Sequence, residues 1–165
     1  MTTSFKRIQI LTDLLKKHNI RNIVFSPGSR NAPLVLAFKS DSFFNSKVIV
    51  DERSAAFIAL GMSQQLQEPV IICCTSGSAT LNYSPAICEA FYQRIPLLIL
   101  TADRPPEWID QGEGQSINQN SIYKNYVGGS FQFPVDENKD TLWQSGRITN
   151  DAVNLCKTKS LPVHI

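Results

Sequence analysis

Glu52 is the residue of this sequence whose type and position most favour chemistry. It follows the short apolar run 48–50 (Val-Ile-Val) and precedes a stretch typical of a helix, residues 55–62. Ligands of parallel α/β sheets bind at the carboxyl ends of strands, so an acid at this junction points toward a cleft. The alternative is that Asp51 and Glu52 only cap the helix and complement its dipole.

Two other loops that follow predicted strands carry groups suited to an anionic ligand. Residues 26–31 (Ser-Pro-Gly-Ser-Arg-Asn) place backbone N–H groups, a hydroxyl and a guanidinium at a helix start, where carboxylates and phosphates bind. A Pro-Gly turn with a solvated Arg30 is the alternative. Residues 75–80 (Thr-Ser-Gly-Ser-Ala-Thr) let a ligand approach the backbone at Gly77, or they only cap a helix. The chain lacks the Walker, dinucleotide-binding and nucleophile-elbow patterns.

A long polar segment, residues 101–120, carries a further cation. It contains two prolines and two glycines, which predicts an irregular loop of the kind that usually binds something. Arg104 comes just after a predicted buried strand and is followed by both prolines, which suits bidentate capture of a carboxylate. A salt bridge between Arg104 and Asp103 is the alternative, and the two roles are compatible.

Alternating strands and helices are expected to position these loops. A first helix carries Phe5, Ile8 and Leu11 at helical spacing, with residues 2–4 as possible caps. Further helices are predicted over residues 32–39, 52–66, 80–92 and 139–157. Strands are predicted at residues 23–25, 48–50, 70–74, 96–100, 131–133 and 162–165. This alternation predicts an α/β fold with a doubly wound, mostly parallel sheet and helices on both faces.

Composition narrows the class of protein. With 165 residues, 42% hydrophobic and 18% charged, the chain suits one domain with a full core. Its 16 basic and 14 acidic residues are interspersed, which argues against a nucleic-acid partner. No apolar run approaches a bilayer span and no export signal is apparent, so we expect a cytoplasmic protein without an integral membrane segment. The four cysteines are expected to be small buried hydrophobes, not metal ligands.

The motifs at 26–31, 51–56 (Asp-Glu-Arg-Ser-Ala-Ala), 75–80 and 101–107 (Thr-Ala-Asp-Arg-Pro-Pro-Glu) together resemble the amino-terminal domain of thiamine diphosphate enzymes. Within that family they are most similar to the carboligases of menaquinone biosynthesis. The resemblance covers nearly the whole chain. It implies that residues 1–165 form the N-terminal pyrimidine-binding domain, and that the central and C-terminal diphosphate-binding domains are absent from this chain.

The resemblance also implies roles for individual residues. Glu52 matches the catalytic glutamate that hydrogen-bonds the aminopyrimidine ring of the cofactor. A carboxyl group on the ring nitrogen favours the imino tautomer, which can take the proton from the thiazolium carbon. The implied cofactor-binding residues are Pro27, Glu52, Thr75, Ser76, Gly77, Ser78 and Asn82. The implied substrate-binding residues are Ser29, Arg30, Arg104 and Gln115.

The family reaction decarboxylates 2-oxoglutarate and adds the resulting carbanion to isochorismate, so both implied substrates are anionic. The chain has no Gly-Asp-Gly, the metal motif of the family, so Mg²⁺ (or Mn²⁺) and the diphosphate are expected on the missing C-terminal domain. Because that domain comes from a second subunit in the family, a homodimer or higher homo-oligomer is expected, and this chain alone should be inactive. Two alternatives stay open: the pyrimidine-binding domain of another 2-oxo acid decarboxylase or carboligase, and a non-catalytic α/β binding module.

Overall fold

The computed structural model describes residues 4–165. Within this range six strands form one sheet in which every pairing is parallel. They are β1 (Asn22–Phe25), β2 (Asn45–Val48), β3 (Val70–Cys74), β4 (Leu97–Thr101), β5 (Gly129–Ser130) and β6 (Val163–His164). Their order across the sheet is β2-β1-β3-β4-β6-β5.

Helices cover both faces of this sheet. They are α1 (Lys6–Lys17), α2 (Ala32–Lys39), α3 (Glu52–Leu66), α4 (Ser78–Asn82), α5 (Ser84–Gln93) and α6 (Lys139–Lys159), with a 3₁₀ turn at Pro106–Trp108. One core cluster joins α3, α4 and α5 to the sheet, and a second joins α1, α2 and α6 to its other face. Every residue of β3 is fully buried, as expected for a central parallel strand. The predicted doubly wound fold is confirmed.

The strand order creates a crevice between β1 and β3. From β1 the chain passes through α2 to β2 on one side, and it then returns through α3 to β3 on the other side of β1. Connections that leave neighbouring strands in opposite directions open a gap at the carboxyl edge of the sheet, where ligands of doubly wound folds bind. The loops that begin at Ser26 and Thr75 flank this gap.

Strand β2 lies earlier in the chain than predicted. Its residues pair with β1 in the register Asn22↔Asn45 to Phe25↔Val48, whereas the sequence predicted residues 48–50. Ile49 continues the pairing with one hydrogen bond from its N–H to the Phe25 carbonyl (2.8 Å), but Val50 is 79% exposed. The apolar run therefore extends beyond this edge strand into the junction with α3, and does not form its centre.

The predicted helix over residues 80–92 is two helices. Helix α4 ends at Asn82 and α5 begins at Ser84, with Pro85 in its first turn. Proline has no N–H to donate to the preceding turn, so a continuous helix through this position would lose a hydrogen bond and clash.

The predicted strand at residues 131–133 and the predicted caps of the first helix also differ from the structure. Residues 131–133 are not a strand, because the pairing with β6 is made by Gly129 and Ser130. Helix α1 has no side-chain cap from its own N-cap residue, Phe5. The carboxylate of Glu137 instead accepts hydrogen bonds from the backbone N–H groups of Lys6 and Arg7, both at 3.1 Å. The predicted caps Thr2 and Thr3 lie outside the described residues.

The cysteines largely behave as predicted. Cys73, Cys74 and Cys156 are buried, Cys88 is half-buried, and all four are free thiols. Burial raises the pKa of Cys73 and of Cys156 to about 12, so both remain neutral thiols at physiological pH. Among the helices described between residues 4 and 165, none is long and apolar enough to cross a membrane.

Candidate functional site

The two loops that flank the crevice are in direct contact. We call them the Arg30 loop (residues 26–31) and the Gly77 loop (residues 75–77). The Arg30 backbone N–H donates to the Thr75 hydroxyl at 3.3 Å. A Cβ atom on Gly28 would lie 2.5 Å from the Cβ of Thr75, so only glycine allows the loops to approach this closely. The structure thus brings two of the sequence motifs together at the switch point of the sheet.

Asn31 fixes the conformation of the Arg30 loop. Its side chain is fully buried, and its Oδ1 accepts from the Gly28 N–H at 2.8 Å while its Nδ2 donates to the Ser26 carbonyl at 2.9 Å. Buried amides of this kind rigidify a turn because both of their polar ends are satisfied. The sequence motif included Asn31, but its supporting role was not predicted.

The Arg30 side chain is half-buried, not solvated as the alternative interpretation required. Its Nη1 donates to the Ser29 hydroxyl at 3.0 Å. The remaining guanidinium donors form no ion pair with the described part of the chain. Arg30 therefore retains donors for an external carboxylate.

The Gly77 loop packs against a third loop, the Arg104 loop (residues 102–120). Gly77 has φ +81°, and a Cβ atom there would lie 2.8 Å from backbone atoms of Gln115. The Ser76 hydroxyl donates to the Gln115 carbonyl at 2.8 Å. Gly77 is also the N-cap residue of α4, although no side chain caps this helix. The motif therefore both starts a helix and packs against the Arg104 loop.

Glu52 and Asp51 have separate environments at the start of α3. Asp51 is the N-cap residue, and its carboxylate accepts from the Ser54 N–H at 2.7 Å. Glu52 is half-buried, and its carboxylate forms no hydrogen bond or ion pair with the described residues. The pKa of Cys74 is raised by burial, then by Cys73 and then by the charge of Glu52, so the Glu52 carboxylate lies within electrostatic reach of the end of β3. Asp51 accounts for the capping, and Glu52 is left available for a ligand.

Arg104 is held by its own loop and not by Asp103. Its side chain is 13% exposed and its Nη2 lies 3.2 Å from the Glu113 carboxylate; the same nitrogen donates to the Gly114 carbonyl. Its Nε is buried and has no hydrogen-bond partner. Asp103 instead accepts from the Arg104 backbone N–H at 2.7 Å, and burial raises the pKa of its carboxyl group. Arg104 thus pairs with Glu113 and not with Asp103, so the alternative of an Asp103–Arg104 salt bridge is wrong.

Arg30 and Arg104 line the same cavity, which has a volume of about 350 Å³. Apolar side chains such as Leu34 and Phe133 form part of its wall. Arg7 and Asp103 also line it. A cavity of this size with three guanidinium groups, one carboxyl group and an apolar wall suits a small organic acid. Glu52 and the Gly77 loop do not line it, so the predicted cofactor and substrate residues occupy adjoining regions and not one enclosed pocket.

The remaining predicted residues lie at the surface of this edge. Asn82 donates weakly to the Ser78 carbonyl at 3.4 Å. The exposed members of the predicted site are Pro27, Ser29, Ser78, Asn82 and Gln115. In residues 4–165 no cluster of three or more His, Cys, Asp or Glu side chains could hold a metal ion.

Comparison with known proteins gives the family. A family model described as "Thiamine pyrophosphate enzyme, N-terminal TPP binding domain" matches residues 6–122. The chain belongs to this family. The matched range contains every residue of the predicted site. The resemblance inferred from the four motifs is confirmed, and the thiamine pyrophosphate (thiamine diphosphate) of the family name is the cofactor that they implied.

Several curated relatives of this thiamine pyrophosphate enzyme domain carry the name 2-succinyl-5-enolpyruvyl-6-hydroxy-3-cyclohexene-1-carboxylate synthase. The protein of that name from Cytophaga hutchinsonii is 51% identical over 94% of this chain and 28% of its own length. The one from Porphyromonas gingivalis is 44% identical over 97% of this chain and 28% of its own length. This chain therefore spans less than a third of these relatives.

A solved structure supports the same fold. The crystal structure of benzoylformate decarboxylase from Polynucleobacter necessarius superposes with a TM-score of 0.78 and 26% identity. The match covers 99% of this chain and 29% of that one.

Proposed function

We propose that this chain is the pyrimidine-binding domain of a longer thiamine diphosphate-dependent synthase that decarboxylates 2-oxoglutarate and adds the resulting carbanion to isochorismate. The observation that carries the proposal is the Glu52 carboxylate, which stands without a partner beside the switch-point loops while Asp51 caps α3. The name shared by the curated relatives supports the choice of reaction.

Glu52 would hold the cofactor ring and exchange a proton with its ring nitrogen. When bound, thiamine diphosphate supplies a nucleophilic carbon that adds to a 2-oxo acid, and its ring stabilises the electron pair that remains when carbon dioxide leaves. A carboxyl group is suited to this proton transfer because it can both accept and donate a hydrogen bond at one position. The residues proposed to form the wall around the ring are Pro27, Thr75, Ser76, Gly77, Ser78 and Asn82.

Arg30 and Arg104 would bind substrate carboxylates. Their position on one cavity of about 350 Å³ supports this role, because two guanidinium groups can engage a dianion bidentately. Ser29, which accepts a hydrogen bond from Arg30, and Gln115, which packs on the Gly77 loop, would be their polar neighbours.

The rest of the site would come from outside this chain. In this proposal the diphosphate and its Mg²⁺ (or Mn²⁺) lie on a C-terminal domain of a second subunit, as the family resemblance implies. Exposed apolar side chains on α3 and α4, including Phe57 and Leu81, support such packing, since large apolar patches mark interfaces. We therefore propose a homodimer or higher homo-oligomer in the cytoplasm, and an inactive isolated domain.

The test is an assay of the complete protein for isochorismate-dependent consumption of 2-oxoglutarate. Arg104→Ala should raise the KM for isochorismate by roughly 10- to 100-fold, since a lost charge-assisted hydrogen bond costs about 1.5–3 kcal/mol. Arg147→Ala is the matched control, because Arg147 is exposed on α6 and pairs with an exposed Asp151.

An unchanged KM for isochorismate in Arg104→Ala would contradict the substrate assignment. A complete protein that decarboxylates a 2-oxo acid but ignores isochorismate would instead be a different carboligase or decarboxylase. If the gene encodes no further domain, the chain would be a binding module without catalysis.

A further inference from the structure

Gln119 joins two loops of the proposed site through one side-chain amide. The residue is only 3% exposed. Its Oε1 accepts from the Gly77 N–H at 2.8 Å, while its Nε2 donates to the Ala102 carbonyl at 3.0 Å and more weakly to the Thr101 hydroxyl at 3.4 Å. One acceptor and two donors are thus used, which fixes the orientation of the amide.

The two ends of this contact belong to different parts of the site. Gly77 lies in the loop proposed to face the cofactor, whereas Ala102 lies two residues before Arg104 in the loop proposed to bind substrate. Removing the amide would leave the Gly77 N–H buried without an acceptor, a costly defect in a region with little water.

The amide is anchored to the sheet as well. Thr101, the last residue of β4, has its hydroxyl 2.7 Å from Nε2 of His164 on β6. His164 is itself buried, so the contact reaches a rigid part of the core. Gln119 therefore links the Gly77 loop and the Arg104 loop to the central sheet.

We propose that Gln119 is a positioning residue that holds the Gly77 loop and the Arg104 loop in one arrangement, so that cofactor binding and substrate binding depend on each other. This inference rests on the function proposed above. Gln119 acts through its neighbours and is not itself a catalytic residue.

The main test uses Gln119→Met in the complete protein, because methionine has a similar length and no acceptor or donor N–H. The Kd for thiamine diphosphate and the KM for isochorismate should both rise, each by about tenfold. Gln144→Met, the same change at an exposed position of α6, should leave both constants unchanged. If Gln119→Met lowers only the thermal midpoint and leaves both constants as in the wild type, Gln119 has a merely structural role and the proposal is overturned.

A second variant separates the two halves of the contact. Gln119→Glu keeps an acceptor for Gly77 but replaces the donor that faces Ala102. We expect the KM for isochorismate to rise by about tenfold while the Kd for thiamine diphosphate stays within about twofold of the wild type. Two unchanged constants would overturn the proposal even if the methionine variant does not fold.

Amide exchange tests the same contact without relying on activity. In Gln119→Met, the N–H of Gly77 should exchange faster than in the wild type, while the amides of β3 stay protected. In the wild-type protein, thiamine diphosphate alone should slow exchange at residues 102–104 as well as at residues 75–77. Slowing confined to residues 75–77 would refute the coupling.

Failure of the proposed function and failure of this inference are distinguishable. An inactive complete protein would overturn the proposed function, whereas the Gly77 exchange rate would still decide whether the Gln119 contact holds the loop.

Discussion

Asp51 and Glu52 are adjacent acids whose surroundings assign them different roles. The Asp51 carboxylate accepts a hydrogen bond from the Ser54 N–H at the start of α3, and its pKa is lowered by the side chain of Ser54 and then by this backbone contact. Glu52 has no such commitment among the described residues. Capping and ligand binding were competing interpretations of this acidic pair in the sequence, and the structure allows one residue for each.

Substitution of the two acids should therefore separate catalysis from stability. Glu52→Gln in the complete enzyme should slow exchange of the thiazolium proton of bound cofactor by roughly 10²- to 10⁴-fold, because general acid–base catalysis is lost while size is conserved. Asp51→Ala should lower the thermal midpoint through loss of the cap and leave that exchange rate intact. NMR measures the proton exchange rate in both variants, and thermal denaturation measures their midpoints. A wild-type rate in Glu52→Gln would remove the assigned role.

His164 should make the stability of the protein depend on pH. Its ring is buried, lies 2.7 Å from the Thr101 hydroxyl and packs edge-on against Tyr123. Burial lowers its pKa from 6.5 to about 4. Between these two values the unfolded chain binds a proton that the folded chain does not, so stability falls as pH decreases.

The expected loss from this residue between pH 6.5 and pH 4 is about 3 kcal/mol. Urea denaturation across this range should show a smaller decline in the free energy of unfolding for His164→Asn than for the wild type. Comparing the two proteins cancels the contribution of other groups, including Asp103, whose raised pKa acts in the opposite direction. Parallel pH profiles for the two proteins would argue against a neutral buried imidazole.

At the scale of elements, local sequence signals predicted the bounds of several helices and strands, whereas tertiary contacts determine the position of others. The predicted bounds of α2, α3 and β3 match the structure because hydrophobic periodicity, Pro33 and a continuous apolar run specify them locally. Strand β2 was misplaced because its register depends on hydrogen bonds to β1, which the apolar run does not encode.

For the candidate site, the sequence predicted the loops that form it but not the side-chain contacts within them. The motifs indicated which loops carry chemistry, and a shared carboxyl edge indicated that they converge. Neither signal revealed the Glu113 partner of Arg104 or the buried amide of Gln119. Both contacts join residues within or across irregular loops, where no periodic pattern predicts which side chain faces inward.

Two glycines provide a direct test of loop packing. Gly77→Ala should destabilise the protein by about 1–3 kcal/mol, because Gly77 has φ +81° and a Cβ would overlap the Gln115 backbone. Gly61→Ala, in the middle of α3 with open space around it, should instead stabilise by about 0.5–1 kcal/mol. Urea denaturation of both variants measures the difference. Equal effects would show that the Gly77 loop can relax away from Gln115.

At the scale of the whole molecule, the two faces of the sheet carry different surfaces. The face covered by α3, α4 and α5 exposes Val50, Phe57 and Leu81 near the proposed cofactor loops, at 79%, 45% and 49%. On the opposite face the helices expose fewer large apolar side chains. Leu36 of α2 is 50% exposed, and the exposed Trp143 of α6 is partly covered by Arg147. If a partner subunit completes the proposed site, apolar surface should lie beside Glu52, and the first face provides it.

This asymmetry predicts which face mediates assembly of the complete enzyme. The double variant Phe57→Ser, Leu81→Ser should raise the dimer dissociation constant by about 100-fold, since truncating each well-packed interface residue costs more than about 1 kcal/mol. Trp143→Ser, which removes a larger exposed side chain (68%) from the opposite face, should leave it unchanged. Sedimentation velocity across protein concentration measures both. If Trp143→Ser dissociates the dimer and the double variant does not, Glu52 faces away from the partner and its proposed site cannot be completed by that subunit.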